Sequence, residues 1–148
     1  MREIKFRGKR LDNGEWVYGD LQHRAGGQCA IVVPEPDGNG VWDYAANFVD
    51  PKTVGQCTGV LDYEGRAVYD GDIVESITAS EFKEKENIPW EWEDGEYTME
   101  RYVVMWDKSY NDFGFIFFGN EANHNWLNLE YFRVIGNIHD NPELLSND

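Results

Sequence analysis

The sequence predicts a mainly β fold with short helical turns only, and three observations carry that expectation. Aromatic residues make up 15% of the 148 residues, with six Trp and eight Tyr, and such side chains fit pleated, half-buried surfaces. Fifteen glycines, many beside Asp or Asn, mark frequent turns. The opening EIKFRGK alternates apolar and polar residues, with Ile4 and Phe6 on one face and Lys5, Arg7 and Lys9 on the other. A chain of this length buries roughly 68–70% of its unfolded surface. One domain over residues 1–148 is therefore expected, with a core that needs neither disulfide nor metal.

The elements follow in order. Asn13-Gly14 between EIKFRGK and EWVYGDL signals an N-terminal hairpin, because a two-residue type I′ turn needs positive φ at both central residues. CAIVV, residues 29–33, reads as a short buried strand ended by the loop residues PEPDGNG. DPKTVG is a turn or one helical turn with Pro51 at its first position. QCTGVLD and RAVYDGDIVESI flank a second hairpin-like connection at Tyr63-Glu64-Gly65. SEFKEKEN has modest helical potential, with Ser80 as its cap and Pro89 as its stop. WEWE-DG-EYTM predicts an inserted β-hairpin in which Trp92 faces Tyr97 and Trp90 faces Met99. RYVVMW and FGFIFFG read as core strands, WLNLEYF as a short helix and FRVIGNI as the last strand. Asn141-Pro142-Glu143 then caps a terminal turn, with Leu144 and Leu145 placed to dock.

The formal charge of −15 is large for this size. It disfavours sequence-independent binding of nucleic acid, which needs clustered Lys and Arg. The charge is also uneven. MREIKFRGKR carries five basic residues against Glu3, while residues 81–100 carry eight acids against Lys83 and Lys85. Cys29 and Cys57 lie far apart without a C-x-x-C, as free thiols of a reducing compartment do. With no apolar leader-like segment and no run of ~18 apolar residues, a cytoplasmic location without membrane contact is expected.

The stretch YDGDIVES invites a metal or catalytic reading of Asp70 and Asp72. A calcium loop started at Asp70 would need glycine at its sixth position, where Glu75 stands, and its middle reads as strand. The turn reading is more economical: Gly71 relaxes the backbone, the two aspartates bond turn amides, and Ile73, Val74 and Ile77 enter the core. His23, Cys29, Cys57, His124 and His139 are the other candidate ligands, and none stands at ligand spacing. Cys29 beside Ile31 and Val33 reads as a small core residue. No P-loop or G-x-G-x-x-G precedes a helix. No catalytic residue, cofactor or metal is therefore assigned, and the chain is expected not to be an enzyme. Trp90, Trp92 and Tyr97 are the expected interaction surface if their hairpin projects, whereas packing on the body would make them core.

REIKFRGK, VYGDL, VDPKTVGQCTGVLDYEGRAVYDGDIV and VIGNIHDNPELL, in that order, resemble the YopX family of phage and prophage proteins. The resemblance implies an SH3-like barrel in which GDIV opens a strand, and it assigns no catalytic or binding residues. Residues 78–101 stand outside the simpler family pattern as an insertion, and Cys57 replaces a usual aromatic. The leading expectation is a non-enzymatic accessory module acting by protein association in a bacterial host cell. A homo-oligomer built on the basic first strand and the Trp hairpin is one form of it, and an unidentified host or phage protein is the other partner. An acidic decoy that occupies a DNA-binding protein is the alternative. Direct nucleic-acid binding by the barrel, through the basic strand and exposed aromatics, ranks third.

Overall fold

The computed structural model describes residues 5–36, 42–89, 91, 100–107, 112–117 and 128–145. The chain divides into two compact units, Met1–Gly59 and Val60–Asp148. The fold is mainly β, with two antiparallel sheets.

In the first unit, strands β1 (Phe6–Lys9), β2 (Trp16–His23), β3 (Cys29–Pro36), β4 (Trp42–Val49) and β5 (Gly55–Leu61) lie in the order β4-β3-β2-β1-β5. The N-terminal hairpin forms, but its turn differs from the two-residue expectation. Lys9 pairs with Trp16, Arg10 N–H donates to Glu15 O at 2.9 Å and Gly14 N–H to Arg10 O at 2.9 Å. Only Gly14 has positive φ (73°), and Asn13 Oδ1 instead accepts from Glu15 N–H at 2.9 Å. A longer loop with one left-handed glycine replaces the type I′ turn, because the Asn13 side chain closes it without a second left-handed residue.

Strand β3 runs past the expected end of CAIVV to Pro36, through two prolines. It pairs with β2 only from Cys29 to Val32, and beyond that with β4 alone. The missing N–H groups of Pro34 and Pro36 can face that vacant side and remove no ladder bond. Its inward face builds a core of Cys29, Ile31 and Val49, ringed by Phe6, Val17, Leu21, Val33 and Val54. Gly19 is fixed by closeness: a Cβ there would stand 2.3 Å from Val32 O. The helical turn after Asp50 is present as a 3-10 turn, Pro51–Thr53, with Asp50 Oδ1 accepting from Lys52 N–H at 3.0 Å. An isolated bridge joins Arg10 to Val49, with Leu11 N–H on Phe48 O at 3.0 Å and Asp50 N–H on Lys9 O at 2.9 Å. Among the described residues neither sheet closes into a barrel.

In the second unit, β6 (Ala67–Tyr69) follows the turn after β5. Strands β7 (Asp72–Ser76), β8 (Arg101–Asp107), β9 (Asp112–Phe117) and β10 (Phe132–Asn137) form a sheet in the order β10-β7-β8-β9. GDIV does open a strand, and β7 has Ile73 and Val74 fully buried. The core comprises Val68, Val74, Tyr102, Val104, Leu129 and Phe132, with the Tyr102 and Phe132 rings edge to face at 5.6 Å.

Helix α1 (Ala79–Lys85) stands at the start of the 78–101 segment. Its cap is Thr78, not Ser80. Thr78 Oγ1 accepts from Glu81 N–H at 3.1 Å and Glu81 Oε1 accepts from Thr78 N–H at 2.9 Å, a reciprocal capping box. Ser80 would place Lys83 at the position that must return the bond, and a cation cannot accept it. The helix ends on Asn87, at φ 56°, with Asn87 N–H on Glu84 O and Ile88 N–H on Lys83 O. Termination therefore precedes Pro89 and is a left-handed cap. The expected helix in WLNLEYF is, within the described residues, one 3-10 turn, Leu129–Tyr131. The terminal turn is Pro142–Leu145. The expected Asp94-Gly95 hairpin lies outside the described residues.

Candidate interaction surface

Of the two aspartates of YDGDIVES, Asp72 bonds a turn amide. Gly71 has φ 94°, its N–H donates to Val104 O at 2.7 Å and its carbonyl accepts from Ile138 N–H at 2.9 Å. Asp72 is buried and its Oδ2 accepts from Tyr69 N–H at 2.8 Å, while Asp70 sits in the same turn. Asp62 does similar work nearby: Oδ1 accepts from Glu64 N–H at 2.9 Å and Arg66 N–H at 2.8 Å, and Oδ2 from Val134 N–H at 2.9 Å.

Both cysteines are buried free thiols. The β2–β3 register pairs His23 with Cys29 and brings Cys29 Sγ to 3.9 Å from His23 Nδ1. Sequence spacing alone did not show that pairing. Cys57 is far from it in sequence and accepts from Gly59 N–H at 3.4 Å, and His139 N–H donates to Asn137 Oδ1. Among the described residues no three His, Cys, Asp or Glu gather at metal-binding distance. His124, Trp90, Trp92 and Tyr97 lie outside the described residues.

The surface that the described residues do present is the outward face of the first sheet. Strand alternation puts Trp16, Tyr18, Asp20 and Gln22 on that face of β2. Register carries that phase to Arg7 opposite Tyr18 and to Ala30 opposite Gln22, both of them buried at 5% and 0% exposure, and on to Phe48 opposite Ala30, where it is exposed again. Tyr44 shares the face with Phe48, four residues along β4. Water-facing sides of antiparallel sheets are normally polar. Here Tyr44 is 65% exposed, Phe48 44% and Tyr18 43%.

Cations lie over these rings. Arg24 is centred 5.1 Å from the Phe48 ring, Arg7 4.7 Å from the Trp16 ring, and Lys5 5.9 Å from the Tyr18 ring, all within cation–π reach. Arg24 Nε also donates to Gln22 Oε1 at 3.1 Å. Among the described residues neither Lys5 nor Arg24 forms an ion pair. Asp20 is the carboxylate of the face.

Charge divides sharply along the sequence. Residues 1–59 hold seven Lys and Arg against eight Asp and Glu, a net of −1; residues 60–148 hold six against twenty, a net of −14. The basic first strand was legible early, as was its separation from Phe6. The aromatic half of the surface was not, because VWDYAANFV places Tyr44 and Phe48 on the phase that an alternation rule would turn inward. The usable signal is Val49, on the opposite phase and 1% exposed. No helix among the described residues is long and apolar enough to cross a membrane.

Comparison with known proteins locates this architecture. Residues 5–146 match the family described as YopX protein. Among solved structures the chain is similar to the crystal structure of protein EF1440 from Enterococcus faecalis, at 18% identity and a TM-score of 0.55, over 99% of this chain and 100% of that one. At that identity the likeness is one of fold. No curated protein matches.

Proposed function

The chain belongs to the YopX family, and from that premise we propose that it is a non-enzymatic accessory module that associates with another protein through the outward face of its first sheet. One observation carries the reading: Tyr18, Tyr44 and Phe48 stand exposed on a single sheet face beside Lys5 and Arg24, which form no ion pair among the described residues. Exposed aromatic patches reduce solubility unless something covers them, and aromatic and Arg side chains are enriched where proteins meet. The scaffold is an SH3-like barrel left partly open, for which the Arg10–Val49 bridge is the support. The reading includes a phage or prophage role in the bacterial cytoplasm, for which the family resemblance is the support.

The test compares recovery of partners from extracts of lysogenic cells by wild-type protein and by Tyr44→Ser/Phe48→Ser. A partner retained by the first and lost by the second is expected. Equal recovery overturns the assignment of the surface, and turnover of a nucleotide, peptide or ester by the pure protein overturns the non-enzymatic reading.

The acidic-decoy reading draws on the net −14 of residues 60–148. Against it, Glu64, Glu75, Glu81 and Glu130 are engaged by Arg66 or Arg133, Arg101, Arg133 and Lys85 within the same unit. Competition with DNA for a host repressor or nuclease at low salt would favour it.

A further inference from the structure

The association reading leaves open what covers the aromatic–cation face, and the chemistry of the face narrows the choice. A single-stranded nucleic acid would stack bases on free ring faces and lay phosphates along cations. Here Lys5 and Arg24 already lie over Tyr18 and Phe48, so stacking must displace the cations that the phosphates need. The −14 carried by residues 60–148 also repels a phosphate strand. An uncharged protein surface would cover the rings but desolvate Lys5 and Arg24 with Asp20 as the one carboxylate of the face between them, which is unfavourable. The matching occupant is an acidic protein surface whose carboxylates reach the cations while its apolar atoms meet the ring edges.

Such a surface exists on the chain itself. Glu84 is exposed on α1 and forms no ion pair among the described residues, while Lys85 of the same helix is tied to Glu130 on the Leu129–Tyr131 turn at 3.8 Å. Resting on the association reading, we propose that the occupant is a second copy of this chain. The aromatic–cation face of each copy takes the α1 side of the other, so a two-fold dimer makes the same contact twice. The long-range repulsion of two chains of charge −15 is confined at physiological salt to about 8 Å. Contact pairs then decide the outcome, and they are complementary.

Sedimentation velocity from low to about 100 µM protein, a range that reaches weak affinities, tests this with two charge-reversed variants. Wild-type protein is expected to approach twice the 17.2 kDa chain mass. Lys5→Glu/Arg24→Glu and Glu84→Lys should each remain monomeric, with dissociation constants raised about tenfold or more. An equimolar mixture of the two variants should dimerise again, because one contact joins reversed face to reversed helix and the other joins two unaltered surfaces. A wild-type monomer throughout overturns the proposal, as does a dimer that both variants preserve or a mixture that fails to recover. A fluorescent single-stranded oligonucleotide, added in a separate arm, overturns it in favour of nucleic acid if monomeric wild-type protein binds it and Lys5→Glu/Arg24→Glu does not. A monomer that still recovers a face-dependent partner from extract removes the dimer and leaves the association reading standing.

Discussion

Cations lie over aromatic rings in both units of this chain, and among the described residues two of those in the first unit, Lys5 and Arg24, form no ion pair. In residues 60–148, Arg133 lies 5.5 Å from the Tyr63 ring and Lys85 5.4 Å from the Tyr131 ring. There Arg133 also pairs with Glu81 and Glu64, and Lys85 with Glu130. The Tyr131 hydroxyl donates to Glu86, and the Phe82 and Tyr131 rings meet at 5.7 Å. These contacts tie α1 to the Leu129–Tyr131 turn and to β10, and β10 to the turn after β5. It is a clamp. In residues 1–59, Lys5 and Arg24 make the same ring contacts without an ion pair among the described residues, on a face where Tyr44 is mostly exposed. The counter-charge separates fastening from display, and each prediction below acts on one side of that contrast.

The largest effect is expected beneath the clamp. Asp62 is buried and its carboxylate accepts from three backbone N–H groups, those of Glu64, Arg66 and Val134. Tyr63, the ring under Arg133, is held to β10 through its own N–H on Phe132 O at 2.7 Å. Asp62→Ala orphans those donors and should cost about 3 kcal/mol or more, lowering Tm by roughly 6–12 °C for a domain of this size. Hydrogen exchange should quicken at Glu64, Arg66 and Val134. A melting curve within about 2 °C of wild type would show that the clamp does not depend on this turn.

Much of this was readable from the residues. Asn-Gly, Asp-Pro and Tyr-Glu-Gly located the turns, and the alternation of EIKFRGK placed Lys5, Arg7 and Lys9 together on one face. What local pattern could not give was partnership across the chain. Thr78-x-x-Glu81 is a visible capping box, yet Ser80 is an equally good cap residue until one asks which third neighbour can return the bond. Strand β4 escaped notice because its aromatics point outward, so its inward residues, Ala45, Asn47 and Val49, look weak for a strand. The His23–Cys29 contact and the Asp62–Val134 bond rest on register and on a separation of 72 residues, which no local rule encodes.

A smaller effect is expected when acid removes the counter-charge. The Arg133 guanidinium, helped by the Thr78 N–H, holds the Glu81 carboxyl down at about 2 against a usual 4.5. A carboxyl depressed in the folded state adds stability that is complete above its unfolded value and fades as pH falls from about 4.5 towards 2. Glu81→Gln keeps the capping box, since Gln at that position can also accept, and removes only the charge. With the Glu81 side chain 25% exposed, the loss at neutral pH should be on the order of 1 kcal/mol after solvent screening. The wild-type and variant Tm values should converge between pH 4.5 and 2. A gap that persists at the acid end would assign the difference to shape rather than charge.

The smallest effect on stability is expected on the display side, and there the contrast is sharpest. Tyr44 is 65% exposed and Arg24 stacks on a ring that is itself 44% exposed, so little buried area is lost when either is changed. Surface substitutions of this kind stay within about 0.5 kcal/mol, and an exposed cation–π contact is worth about 0.5–1 kcal/mol. Tyr44→Ser and Arg24→Gln should therefore leave the melting curve nearly unchanged while weakening whatever association the face supports. Tyr131→Ser is the control: it removes the ring under Lys85, the hydroxyl on Glu86 and the contact with Phe82, and should lower stability several times more. Equal losses for Tyr44→Ser and Tyr131→Ser would mean that the outward face is structural too, and the distinction between clamp and display would fall.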